Sequence, residues 1–109
     1  MTAADSRRRA RTFLRQKQLL SPAETDQALH VAAAVLDEAM RRLETAVAGR
    51  DGKTCAEAAH GLKGNLLNLG LPDLAGVAQV IQEKAQAGDF EVVTTAIAHL
   101  TAALAPLRG

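Results

Sequence analysis

The stretch SPAETDQALHVAAAVLDEAMRRLETAVAG, residues 21–49, decides the fold. It opens on a helix-start signature, with Ser21 as N-cap, Pro22 at the first helical position and Glu24 completing a capping box. Leu29, Ala32, Ala33, Leu36, Met40, Leu43 and Val47 then recur at steps of three and four, one apolar stripe sustained over about seven turns. Gly49 marks the expected end. A helix of this kind draws its stability from burying the stripe, so it needs partners.

The same punctuation repeats downstream. In "RDGK" Asp51 is the expected N-cap of a helix that runs to Gly70. "LPDL" restarts the chain at once, with Pro72 at the first helical position and Asp73 at the positive end of the dipole. Leu74, Val77, Ala78, Ile81 and Ala85 face inward until Gly88. Asp89 caps a last helix whose stripe is Phe90, Val93, Ile97, Leu100 and Leu104, and Pro106 is expected to close it. Upstream, residues 6–19 read as a shorter helix resting on the others through Ala10, Phe13, Leu14 and Leu20. Four long amphipathic segments joined by short connections are forced to be antiparallel neighbours. The expected fold class is therefore all-α: an antiparallel up-down-up-down four-helix bundle over residues 21–109. A basic arm and short helix over residues 1–20 precede it within one domain.

Composition sets the same bounds. The chain has 109 residues, 48% of them hydrophobic and only 2% aromatic, so a single core must be built from aliphatic side chains. Cys55 is the only cysteine, which excludes an internal disulfide and suits a reducing compartment. No apolar run reads as long enough to span a bilayer, and no apolar region follows the N-terminal arginines as in a secretory signal. A cytoplasmic protein without membrane contact is expected. The net charge of +1 hides an asymmetry. Arg7, Arg8, Arg9, Arg11, Arg15 and Lys17 face Asp5 alone in the first twenty residues, while the remainder is acidic. Such a run is either a solvated helix face or a contact for an acidic protein, a membrane surface or nucleic acid.

A second stretch, AEAAHGLKGNLLNLGL at residues 56–71, carries the chemistry. Each interior glycine costs a helix roughly 1 kcal/mol relative to alanine, yet Gly61 and Gly64 stand on either side of Lys63. At about 100° per residue, Cys55, Ala58, Ala59, Leu62, Leu66 and Leu69 fall on the side away from His60. Lys53, Glu57, Lys63, Gly64 and Leu67 share the histidine's face. Gly64, one turn beyond His60, leaves the imidazole unshielded, and Gly61 thins its flank. Lys63 brings a cation within reach of anything attached to the ring. A ring-nitrogen lone pair with open approach and a nearby ammonium group suits attack on phosphorus.

These residues resemble the signature of histidine-containing phosphotransfer (HPt) domains, relay modules of multistep two-component signalling. The pattern H-x-L-K-G, with a further glycine downstream, stands here as His60, Leu62, Lys63, Gly64 and Gly70, and the likeness in architecture covers about residues 21–105. The resemblance implies that His60 carries a phosphoryl group, that Lys63 contacts it and that Gly64 makes room for the partner. Some members of that family place a glutamine on the following helix near the imidazole, a place that matches Gln82, with Gln79 as competitor. Family members do not phosphorylate themselves. A receiver domain or a sensor histidine kinase, hybrid kinases included, donates the group, and the receiver supplies the acidic residue and Mg2+. The chain is thus expected to be a phosphocarrier rather than an enzyme, without cofactor or metal site of its own. Where the family usually has small residues after the glycine, this chain has "NLLN". Leu67 on the histidine face is an expected apolar contact for a receiver, with Glu57 and Lys53 beside it. A monomer is expected, since one core buries all four stripes.

The alternative is a helical interaction module that keeps the bundle without exchanging phosphate and binds a protein or nucleic acid through its surface and basic arm. "EAAH" at 57–60 matches the spacing of di-iron bundles, but the pair faces outward and has no second copy. His30 and His99 lack a second ligand at helical spacing. Cys55 lies on the buried side without a histidine partner, and no glycine-rich phosphate loop is present.

Overall fold

The computed structural model describes residues 3–108, and the described chain is helical throughout, with no strand among the described residues. The helices are α1 (Ala3–Gln16), α2 (Pro22–Ala48), α3 (Gly52–Asn68), α4 (Pro72–Gln86) and α5 (Phe90–Arg108). Helix α2 packs on α3, α3 on α4, α4 on α5 and α5 back on α2, which closes the four-helix ring, and α1 lies against α5 and α2. The 27 residues of α2 set the long dimension of a body measuring 43 × 22 × 19 Å.

Local signals place the helix starts as expected. The Ser21 hydroxyl accepts from Glu24 N at 3.1 Å while Glu24 Oε1 accepts from Ser21 N at 2.9 Å, a complete capping box. Asp51 caps α3 through Thr54 N at 3.1 Å, and Asp89 Oδ1 accepts from Val92 N at 3.3 Å at the start of α5. The core is aliphatic: Leu29, Leu36, Met40 and Leu43 of α2 meet Leu62 and Leu66 of α3, Ile81 of α4 and Leu100 and Leu104 of α5. Phe13 and Phe90 are half-buried at its edges.

Gly49 ends α2 as expected, and the next residue, Arg50, turns the chain at φ +53°, with its guanidinium 5.6 Å above the Phe90 ring. Three expectations change. Pro106 does not close α5, which continues to Arg108. Leu107 is buried there, and Arg108 Nε and Nη2 donate to Asp37 Oδ1 at 3.2 and 2.9 Å, so tertiary contacts outweigh the backbone bond that proline removes. Helix α1 stops at Gln16 rather than residue 19, because Leu19 turns the chain at φ +55°. Finally, α5 is long and apolar enough, by length and composition, to cross a membrane. Here Val93, Ile97, Leu100, Leu104 and Leu107 are buried against the other helices, so that apolarity serves the bundle core.

The basic run has partners within the chain. Arg9 grips Asp73 of α4 with two nitrogens, at 2.6 and 3.0 Å, and Arg11 pairs with Asp26 of α2. Beneath them Ala10 and Leu14 are buried, and Phe13 lies against Gly70. Gly70 stands at φ +72°, and a Cβ there would overlap the Phe13 ring, so glycine is what lets α1 seat at the α3–α4 turn.

Candidate functional site

His60 is at the midpoint of α3, and its imidazole is exposed. Cys55, Ala58, Ala59, Leu62, Leu66 and Leu69 hold the opposite side of the helix in the core, which is why the ring points outward. It makes no hydrogen bond or ion pair among the described residues. Beside it runs an open groove of about 690 Å³ between α3 and α4, lined by Lys53, Glu57 and His60 on one wall and by Gln82 and Gln86 on the other. Gly52 forms its floor at one end, where an added Cβ would lie 2.6 Å from the carbonyl oxygen of Ala85. At Gly61 and Gly64 an added Cβ would meet nothing within 4 Å. The wall of side chains is therefore open on the flank and toward the carboxyl end of α3.

The two glutamines of α4 take different places. Gln82 lines the groove with His60. Gln79 is engaged elsewhere: its Oε1 accepts from Lys63 Nζ at 2.9 Å, and its Nε2 donates to Glu83 Oε1 at 2.8 Å. Lys63, half-buried, thus reaches across to α4 rather than standing free beside the ring. Glu57 is exposed and meets Arg42 of α2 at 3.4 Å, a rim pair of little energetic weight. Lys53 is exposed at the groove. Leu67 is 46% exposed one turn past Gly64, where a leucine gains nothing for the core.

An apolar surface missed in the sequence adjoins this site. Val31 and Val35 of α2 are 52% and 41% exposed, four residues apart on one face. With Leu20, Ala28 and Leu69 they line a second groove, of about 580 Å³, between α2 and α3. The available signal was a β-branched pair at helical spacing beside, rather than within, the core stripe.

The competing constellations stay apart. His30 lines a separate groove with Arg7, Asp26 and Asp37. Burial, reinforced by the charge of Asp51, pushes the Cys55 thiol up, away from a reactive thiolate. Among the described residues no three His, Cys, Asp or Glu side chains gather as metal ligands would.

Comparison with known families bears on the same residues. The family model described as the Hpt domain matches residues 27–109, about three quarters of the chain, and includes the whole of α3 and α4. The chain belongs to the Hpt domain family. Comparisons with curated proteins and with solved structures gave no match. Hpt domains are phosphocarriers of histidine phosphorelays and work with receiver domains and histidine kinases.

Proposed function

We propose that His60 is the phosphoacceptor of a phosphorelay intermediate, which takes a phosphoryl group from a receiver-domain aspartyl phosphate or a kinase and passes it to another receiver. The observation that carries this reading is the unbonded, exposed imidazole at the middle of α3, facing an open groove and flanked by two glycines that fill no packing need. In the transfer a ring-nitrogen lone pair of His60 forms the N–P bond. The P–O bond to the donor aspartate breaks, and its electron pair leaves with the carboxylate. Lys63 offsets the charge of the phosphoryl oxygens, Gln82 faces the ring from α4, and Gly61 and Gly64 leave the donor's approach clear. The chain brings no acid–base machinery or cofactor of its own; the receiver supplies the acidic site and Mg2+.

Docking is assigned to the surface around the histidine. Leu67, Glu57 and Lys53 form the near rim, and Val31 and Val35 extend it with apolar area of the kind that anchors an interface. Leu67→Asp is expected to weaken receiver binding while leaving the melting curve in place; unchanged binding removes Leu67 from the surface. The chain is proposed to act as a cytoplasmic monomer.

The function is tested by incubation with a phosphorylated receiver domain and Mg2+. Label that is acid-labile, base-stable and lost in His60→Gln is the expected result. No transfer from a broad panel of receivers would leave an interaction module without phosphate chemistry.

A further inference from the structure

The hydrogen-bond relay one turn from His60 contains two residues to which the phosphoacceptor reading gives no work. Lys63 Nζ donates to Gln79 Oε1 at 2.9 Å, and Gln79 Nε2 donates to Glu83 Oε1 at 2.8 Å. Chemistry sets the direction of this chain. An ammonium group only donates and a carboxylate only accepts, so an amide between them has one orientation, carbonyl toward Lys63. Glu83 thereby orients Gln79, and Gln79 holds the end of a long, flexible lysine stem.

The holder does not quench the charge it holds. Gln79 is neutral, so Lys63 keeps its full charge for an incoming anion, which a carboxylate at this place would cancel. The ammonium group has three donors and Gln79 engages one, leaving two for phosphoryl oxygens. The hold also comes from the helix that carries Gln82 to the groove, so α4 addresses both the lysine and the histidine of α3.

We propose that Gln79, oriented by Glu83, is a positioning residue for phosphoryl transfer: it pre-sets the Lys63 ammonium one turn from His60, with two N–H bonds free for the phosphoryl group. This rests on the reading of His60 as phosphoacceptor and assigns that site a further part.

The test uses the full chain and a small donor, phosphoramidate, so that no docking surface enters. The lone pair of a His60 ring nitrogen forms the new N–P bond, the P–N bond of the N-protonated donor breaks, and ammonia leaves with its electron pair. Loading rates are measured for wild type, Lys63→Ala, Gln79→Ala and the double variant. Gln79→Ala is expected to slow loading about fivefold and Lys63→Ala about tenfold. The double variant should match Lys63→Ala alone, because Gln79 acts only through the lysine. Gln79→Glu should lose more than Gln79→Ala, since its carboxylate both neutralises Lys63 and repels the phosphoryl group. Nitrogen-15 relaxation of the lysine side chains gives a readout without phosphate. Lys63 Nζ should be more ordered than Lys53 Nζ in the wild type and equally mobile in Gln79→Ala. Additive losses in the double variant, wild-type loading in Gln79→Ala, or a Lys63 Nζ as mobile as that of Lys53 would each overturn the proposal and leave the role of His60 standing. A wild-type chain that takes no phosphoryl group from phosphoramidate or from a receiver would overturn both.

Discussion

Gly52 and Gly70 bracket α3, whereas Gly61 and Gly64 lie inside it. At Gly52 an added Cβ would press on the Ala85 backbone at 2.6 Å, and at Gly70 it would overlap the Phe13 ring. At the inner pair it would meet nothing within 4 Å. The outer glycines let helices approach, α4 at one end and α1 at the other. The inner ones weaken the helix by about 1 kcal/mol each and gain no packing in return. Residues that cost stability and touch nothing, set just past an unbonded imidazole toward the carboxyl end of α3, are what the proposed approach of a partner requires.

The comparison is sharpened by substitutions that should fall in a definite order. Gly70→Ala is expected to cost most, about 3 kcal/mol, because positive φ and the Phe13 ring both oppose a side chain. A urea or thermal melt checks this, and a loss below about 1 kcal/mol would mean that α1 shifts freely. Gly52→Ala should cost about 2 kcal/mol, since the obstacle is backbone rather than a mobile side-chain tip. Gly64→Gln should behave in the opposite sense. Its melt is expected to stay level or rise by about 0.5 kcal/mol, while phosphoryl transfer from a receiver slows about tenfold, the filled gap obstructing approach. A folded Gly64→Gln variant with normal rates would erase the distinction between inner and outer glycines.

The smallest effect belongs to the ion pair that seats α1. The hydrogen bond from Arg9 holds the Asp73 carboxyl below the usual carboxylate range. A lowered folded pKa stabilises the fold above the ordinary Asp value of about 3.9, and that contribution is lost as pH falls through the folded value. Both groups are partly exposed, so about 0.5 kcal/mol is expected. Asp73→Asn should melt slightly below wild type at pH 6, and the gap should close toward pH 2. A gap that widens on acidification contradicts the assignment.

What could be read from the sequence was what local residues decide. Ser21 with Glu24, Asp51 and Asp89 make their caps within three residues, and the side of α3 that His60 faces follows from its helical spacing alone. What could not be read was set by distant partners. Arg50 rather than Gly49 takes the left-handed turn while its guanidinium lies over Phe90, forty residues on. Helix α5 passes through Pro106 because Arg108 is tied to Asp37 of α2. The split between Gln79 and Gln82 depends on the register of α4 against α3, which periodicity in either helix alone does not contain. A run of arginines likewise carries no sign that Asp73 and Asp26 wait for two of them.

The central claim concerns one imidazole among three that are exposed, those of His30, His60 and His99. Loading the chain from a phosphorylated receiver and mapping the phosphorus by fragmentation mass spectrometry under neutral conditions tests it most directly. Phosphorus on His60, with His30 and His99 unmodified, is the predicted result. Phosphorus on either of the other two, or spread over all three, would contradict it.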